Sequence, residues 1–549
     1  MALSDHNNPQ KQHFDAVIIG IGHQGLIAAN YLARSGFKTA IFDVASIVDG
    51  GAPYDMFVEG AKTGPCAHVP TPVSQRVAED LDLEECGWHL KPEQTCSFVP
   101  YGDQTNEYFF ATSGRQATQR EIAKLSKQDA QNFVDLYDEL CTLGQVFDQL
   151  SDTHPAYNQK GWQDLWSVFE TGKLLSKAGA APQELFAALM RQSLTDFLKQ
   201  RFETEAVRGF VGFQAMLGGM SNPDRAGSAA ALLQYVLGLD RHRPMKGDWQ
   251  PLRGGIHDYL KALTQSALNH GVTFMPGNFV ESMRAHEGQI LSLQMSDGAT
   301  ITADHYVTDT NPINLFSSLI DPEQMPADFR LKIQNMRGSS GYVRVKMLVD
   351  SLPHFGGLSG FGDESFLSGE ILIAPSVEYM RDALSEARAS GGSEHPAVSL
   401  SIPTLSAPHF APGGMHVISA LAQFFDPSLD DTEENRNLVA SAVARAIENV
   451  APDFTQTVKG IAVYMGDNLD RTMGPLSRDS FHGNLPLNQI FASHFGYHAL
   501  GADLPFGNLI MCGYGAEASA CAHTNNGGVS AADHLISLRS GKSKASGRA

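Results

Sequence analysis

The feature that most constrains this chain is a glycine turn set between a buried strand and a helix. Residues Asp15-Ala-Val-Ile-Ile19 form a continuous apolar run of the kind that makes a buried parallel strand. Gly20-Ile-Gly22-His23-Gln24-Gly25 follows at once. Leu26 to Arg34 then has helical spacing and is closed by Gly36. A second apolar run, Thr39 to Phe42, ends at Asp43. This is a strand–turn–helix–strand unit of the length that binds dinucleotides. Gly20 permits the tight turn out of the strand, Gly22 lets backbone approach a pyrophosphate, and Gly25 lets helix and strand pack closely. The helix N-terminus offers unpaired N–H groups and a positive dipole end to phosphate. Asp43 stands where a carboxylate accepts hydrogen bonds from a ribose diol. These features point to a dinucleotide and leave FAD and NAD both open.

The chain has 549 residues, which suggests two or three domains. Its 42% hydrophobic and 18% charged residues fit a globular protein. A net charge of −20 argues against nucleic acid, whose phosphates need a basic surface. It also argues against electrostatic adhesion to an anionic bilayer, though not against apolar contact with one. Met1 to His13 is polar and lacks the apolar core of a signal peptide. No run of about 18 apolar residues suggests a membrane span. The six cysteines form no CxxC pair, and a reducing compartment is expected, with the cytoplasm as the default location. No metal-ligand spacing such as HExxH occurs, so no metal is expected.

Residues 115–240 have mostly helical periodicity, including a helix expected from Glu184 to Leu198, where Leu185, Leu189, Leu194 and Leu198 recur. Past Pro251 the pattern returns to α/β. Gly254-Gly255 opens a helix to Asn269, and Val272 to Met275 and Asn278 to Ser282, the latter containing Val280, predict two strands. Gly288 to Ala303 alternates as a hairpin with Asp297-Gly298 at its turn. His305 to Thr308 is another buried strand, ending at Asp309-Thr-Asn-Pro312. A Gly/Ser-rich loop is expected near Ser390 to Ser393 and a helix over 434–449. Leu509 to Met511 reads as a last buried strand entering Cys512-Gly513-Tyr514-Gly515, and Val529 to Arg539 as a final helix.

These motifs, in this order, resemble the phytoene desaturase-like FAD-dependent oxidoreductases, and within them the branch of pyridine nucleotide-disulfide oxidoreductase domain-containing protein 2. That branch reads Gly-Ala-Gly-His-Asn-Gly-Leu where this chain has Gly20 to Leu26. Asp49-Gly50-Gly51-Ala52 resembles the family's Gly-Gly after the ribose-binding acid. Arg253-Gly254-Gly255 resembles its second glycine pair, and Ser296 to Pro312 its hairpin and strand ending in Asn-Ala-Asp-Pro. Asp479 to Gly483, with Leu487 to Phe491, resembles its Ile-Phe-His-Gly segment.

The resemblance implies FAD as cofactor, and it implies an α/β fold. A Rossmann-type FAD-binding domain of the glutathione reductase/amine oxidase kind would carry an inserted α+β substrate domain with a helical region. The cofactor domain would comprise residues 1–70, 251–312 and 471–549, the last with the C-terminal tail. The substrate domain would comprise 71–250, largely helical, and 313–470, of mixed sheet and helices. The implied cofactor residues are Gly20, Gly22, His23, Gln24, Gly25, Asp43, Gly50, Gly51, Val280, Gly513, Tyr514, Gly515, Gly527, Gly528 and Val529. A helix starting near Gly527 would aim N–H groups at the flavin N1/C2=O edge.

Two departures stand out. Asp43 replaces the usual Glu and is followed by Val44 and Ala45 rather than by the family's Arg. The family's Thr-His-Pro-Gly-Gly-Gly-Val loop beside the flavin reads Ala516-Glu517-Ala-Ser-Ala-Cys521-Ala-His523. Glu517 and His523 are therefore the candidate acid–base groups, a histidine being suited to the base because an unperturbed imidazole titrates near working pH. The ordinary alternative is that both only hydrogen-bond within the loop. Cys521 has no visible partner as a nucleophile, His68 reads better as structural, and His482 matches a histidine of the resembled family but could equally belong to a turn. The expected activity is oxidation of a C–H bond of a small apolar or mixed organic substrate by hydride transfer to flavin N5. Redox-neutral isomerisation, amine oxidation and a non-catalytic flavin-binding role with a protein partner are the alternatives. Oligomeric state is not legible.

Overall fold

A computed structural model describes residues 12–20, 22–43, 55–63, 75–88, 96–101, 107–112, 115–153, 173, 175–177, 179–235, 255–310, 315–335, 341–355, 364–405, 407–465, 504–513 and 526–540. The main elements in chain order begin with β1 (Gln12–Ile19), α1 (His23–Arg34) and β2 (Thr39–Asp43). Next come β3 (Asp55–Val58), β4 (Ala61–Thr63), β5 (Cys96–Pro100) and β6 (Tyr108–Thr112). A helical stretch holds α2 (Arg115–Ile122), α3 (Lys127–Thr153), α4 (Ala180–Arg191), α5 (Leu194–Arg201) and α6 (Glu205–Met216). The chain continues through α7 (Gly255–Asn269), β7 (Thr273–His286), β8 (Gln289–Met295) and β9 (Thr300–Thr308). It then forms β10 (Tyr342–Val349), β11 (Glu370–Ile373), α8 (Val377–Ser390), β12 (Gly392–Ser401) and β13 (His416–Phe425). The last elements are α9 (Glu433–Glu448), β14 (Val458–Tyr464), β15 (Leu509–Met511) and α10 (Asn526–Arg539).

Five strands lie side by side and parallel in the order β15, β9, β1, β2, β7. Period-two alternation in these apolar runs splits their side chains between two cores. Val17 and Ile19, with Phe42, Tyr306, Leu509 and Met511, face a core shared with the antiparallel strands β7, β8 and β9. Ala16 and Ile18, with Ile41, Val307 and Ile510, face the helices α1, α7 and α10. A parallel sheet covered on both faces needs strands that are apolar where they are covered, and β1 is so from Ala16 to Ile19, all four residues being buried. The result is an α/β fold of the Rossmann type, built from segments near both ends of the chain and one near the middle.

Among the described residues the second sheet has seven strands in the order β14, β10, β13, β12, β11, β5, β6. One face packs on α9 through Val439, Val443 and Ile447. Leu372, Ala397 and Phe424 lie on the other side and pack with the helices α3 to α6 and α8. Among the described residues, no helix is long and apolar enough to cross a membrane.

Three local expectations are corrected. The helix expected over Glu184 to Leu198 is two helices, α4 and α5, separated at Gln192 and Ser193. Ser193 caps α5 by accepting from Asp196 N, and so offers the backbone a restart. The two strands expected around Pro276-Gly277 are one, β7. Its first part pairs in parallel with β2 and its second part antiparallel with β8, and a register shift separates Ile41 from Asp43 on β2. The loop expected at Ser390 to Ser393 is the end of α8, where Gly391 takes a left-handed φ of 87°, followed directly by β12.

Candidate cofactor site

The C-terminal ends of β1, β2, β9 and β15 converge on the glycine turn. Gly20 N donates to Phe42 O at 2.9 Å, so Asp43, the next residue of β2, stands level with the turn. Gly20 has φ +102°, a conformation that favours glycine. A Cβ placed on Gly25 would come within 2.8 Å of Gly20 O. All three glycines are therefore bare by necessity, as a close-approach loop requires.

What lies against that bare backbone is Asp309, the residue that follows β9. A Cβ on Gly20, Gly22 or Gly25 would meet its carboxyl group. Gly25 N donates to Asp309 Oδ2 at 3.0 Å. Asp309 is hemmed in by protein yet keeps a partial opening to solvent. Burial pushes its carboxyl up to about 6, although the Gly25 and Gly22 amides pull the other way. The amides of this turn thus already receive an anion, which is the test a pyrophosphate site must pass.

The second helix N-terminus lies beside the first. Gly528 N, in the first turn of α10, donates to Gln24 Oε1 at 2.8 Å, across 504 sequence positions. A Cβ on Gly528 would strike Gln24 O and the Ile27 side chain. Gly528 therefore permits the close packing of α1 on α10. Gln24 is 1% exposed and satisfies one of the N–H groups that a helix start leaves without an intrahelical partner. Gln24→Ala should cost about 1–3 kcal/mol, because it leaves that buried N–H unpaired. The urea midpoint at constant slope measures the loss, and an unchanged midpoint would remove this link between the two halves.

Gly527 is buried and Val529 packs on the helix-side core. Gly513 follows β15 with its backbone against that of Asp309. Val280 is buried in β7, one residue past Phe279, the register partner of Asp43. His23 opens α1 and is buried. Gly50, Gly51, Tyr514, Gly515, Glu517 and His523 lie outside the described residues, as do His68, His482 and Cys521.

The sequence reading overlooks two groups of residues. One is Asp309, read above only as a strand end. The other is a row of buried polar side chains on one face of the seven-stranded sheet. Arg344 and Lys346 on β10, Ser419 and Gln423 on β13, Ser399 on β12 and Glu370 on β11 are all buried. Lys346 is 1% exposed and donates from Nζ to Thr63 O at 3.2 Å, with the Tyr464 ring 4.6 Å away. Glu370 accepts from Ser97 Oγ at 2.8 Å and from Ser399 Oγ, and burial raises its carboxyl above the ordinary range. The signal was present as two charges at period two in the otherwise mostly apolar run Tyr342 to Val349.

No protein-family model matches the chain. Among named proteins, pyridine nucleotide-disulfide oxidoreductase domain-containing protein 2 of Mus musculus is 26% identical over 542 residues, covering 94% of this chain and 92% of that protein. The 4,4'-diaponeurosporene oxygenase of Staphylococcus aureus is 22% identical over 331 residues, covering 60% of this chain and 61% of that protein. Among solved structures, wild-type putrescine oxidase bound to putrescine superposes with a TM-score of 0.59 at 15% identity, covering 97% of this chain and all of that one.

Proposed function

As a homologue of pyridine nucleotide-disulfide oxidoreductase domain-containing protein 2 along nearly its whole length, this chain is an oxidoreductase, and we propose that it uses FAD to oxidise a C–H bond of an apolar or mixed organic substrate. The observation that carries this reading is the pairing of two helix N-termini, α1 with its glycine turn and α10 with Gly528, at the C-terminal edge of one parallel sheet. Open α/β sheets bind their ligands at that edge. Two adjacent positive helix ends suit a cofactor that carries a pyrophosphate and, when reduced, a negative ring.

FAD supplies the electron acceptor, a ring that takes a hydride at N5. The chain supplies everything else. Gly20, Gly22, His23 and Gly25 hold the pyrophosphate, and Asp43 holds the ribose. Gly50, Gly51, Val280, Tyr514 and Gly515 complete the cofactor's surroundings, and Gly513, Gly527, Gly528 and Val529 bring the second helix to it. Gln24, beside the cofactor in this reading, also fastens that helix to α1. Glu517 and His523, from the loop that departs from the family pattern, are the groups proposed to move the substrate proton. The polar row led by Arg344, Lys346 and Glu370 is proposed to meet the polar end of a mixed substrate.

The purified protein should be yellow, with one FAD released per chain on heating. After anaerobic photoreduction, rapid bleaching recovery in air marks an oxidase and slow recovery a dehydrogenase. Bound NAD without flavin, or no flavin after incubation with FAD, would overturn the proposal. His523→Ala and Glu517→Ala should slow substrate reduction of the flavin at least tenfold while leaving its occupancy intact. Loss of flavin with normal reduction in the remaining holoprotein would make the loop structural.

A further inference from the structure

Asp309 occupies the position from which FAD must be received. Its carboxylate accepts from Gly25 N at 3.0 Å, and each glycine of the turn is bare where that carboxyl group lies. The backbone around it is fixed. Asp309 N donates to Ile19 O at 3.4 Å, Thr308 Oγ1 donates to the same carbonyl at 3.0 Å, and Cys512 N donates to Thr308 O at 2.7 Å. Gly513 presses on the Asp309 backbone from β15. The side chain therefore cannot leave the turn by moving its strand; only rotation of the carboxyl or a change in its charge is open to it.

A pyrophosphate seeking the same amides meets a carboxylate already using them. Like charges at that separation in partly dry surroundings repel strongly. A protonated carboxyl reverses the interaction, because its O–H donates to a phosphate oxygen. We propose, resting on the FAD reading above, that Asp309 sets the affinity for FAD: the cofactor displaces the ionised carboxylate from the Gly22 and Gly25 amides by binding together with one proton, taken up on Asp309.

The groups around Asp309 leave it as the responsible acid. On α1 the titratable residue of the first turn is His23. His13 and Asp15 on β1, and Asp304 and His305 on β9, stand well before the C-terminal ends of their strands. Asp43 ends β2 at the same edge, Cys512 follows β15, and Asp533 is the first titratable residue of α10. Burial and the backbone amides, rather than a charged neighbour among the described residues, govern the Asp309 carboxyl.

Holoprotein is dialysed to equilibrium from pH 5.5 to 8.5, and bound and free FAD are measured. One linked proton makes Kd rise by up to about tenfold per pH unit above the carboxyl's pKa, which lies at about 6. The wild type should therefore weaken at least tenfold between pH 6 and 8. Asp309→Asn keeps the shape without the charge, so it should bind with little pH dependence and at least tenfold more tightly at pH 8. Asp309→Ser should flatten the profile likewise, which covers the case of an asparagine variant that folds poorly. His23→Gln should keep the wild-type slope, whatever its absolute affinity. Calorimetry in two buffers of different ionisation heat should count close to one proton taken up by the wild type at pH 7.5 and none by Asp309→Asn. A flat wild-type profile, an unchanged slope in Asp309→Asn, or a slope abolished by His23→Gln overturns the proposal while leaving the FAD reading intact. Failure of every protein to hold FAD even at pH 5.5 overturns both.

Discussion

Gly513→Val is expected to leave a protein without flavin and several kcal/mol less stable. The substituted Cβ would fall against the backbone of Asp309, within 2.7 Å of its carbonyl carbon and 2.8 Å of its Cα. Those atoms cannot give way cheaply. They are tied to β1 through Ile19 O, while the Asp309 side chain is tied to the glycine turn through Gly25 N. Forcing β15 from β9 therefore distorts the turn itself, so the cofactor and the fold are lost together. Overpacking a rigid site costs about 1–3 kcal/mol and more when backbone must shift. Gly36 supplies the contrast. Its φ is +80°, but nothing stands within 4 Å of an added Cβ. Gly36→Ala should then cost only about 1–2 kcal/mol for the left-handed backbone and keep its full flavin. Flavin absorbance per chain and the urea midpoint, measured on both variants, separate close approach from backbone strain. A Gly513→Val protein with normal flavin and midpoint would show that the contact between β15 and β9 is not the constraint described.

The difference between these glycines shows how far the sequence alone reaches. Gly20, Gly22 and Gly25 announce themselves because strand, turn and helix are contiguous, and the last strand is legible as Leu509 to Met511 because a buried parallel strand is apolar throughout. Gly513 is visible as a motif residue, but its task depends on a backbone some two hundred positions away. The same limit hides Asp309. Its hydrogen bond to Gly25 spans 284 positions, and no local periodicity encodes that encounter. Gln24 carries a task that its motif position does not announce: its amide oxygen accepts from Gly528 N, 504 positions away. The break before Leu194 was locally legible. Leu189 to Leu194 is a spacing of five rather than three or four, and Ser193 with Asp196 is a capping pattern. In β10, Arg344 and Lys346 declare a shared face by their period of two. Only the tertiary packing decides that this face is buried.

At the ribose end of the site, Asp43→Ala is expected to weaken FAD binding by about 10²- to 10³-fold. Ile19 and Phe42 are register partners in parallel strands, and Gly20 N donates to Phe42 O. One residue further, at about 3.3 Å per step, the chain reaches the edge where the turn is proposed to receive the pyrophosphate. A ribose attached to that pyrophosphate comes within reach of Asp43 and of no other acid on β1 or β2, since Asp15 lies four residues before the end of its strand. Two hydrogen bonds to a charged acceptor contribute about 1.5–3 kcal/mol each, and water recovers part of that when the acceptor is removed. Asp43→Asn keeps an acceptor without the charge and should lose about tenfold. Asp43→Glu adds a methylene and should bind at least as well as the wild type, because the strand end sets the reach. The three affinities are measured at one low pH, 5.5, below the value of about 6 to which burial pushes Asp309, so that the repulsion at the turn is reduced and common to all three. Retention of full flavin by Asp43→Ala through dialysis would remove the carboxylate from the ribose and leave the amides of α1 and α10 as the principal hold on the cofactor.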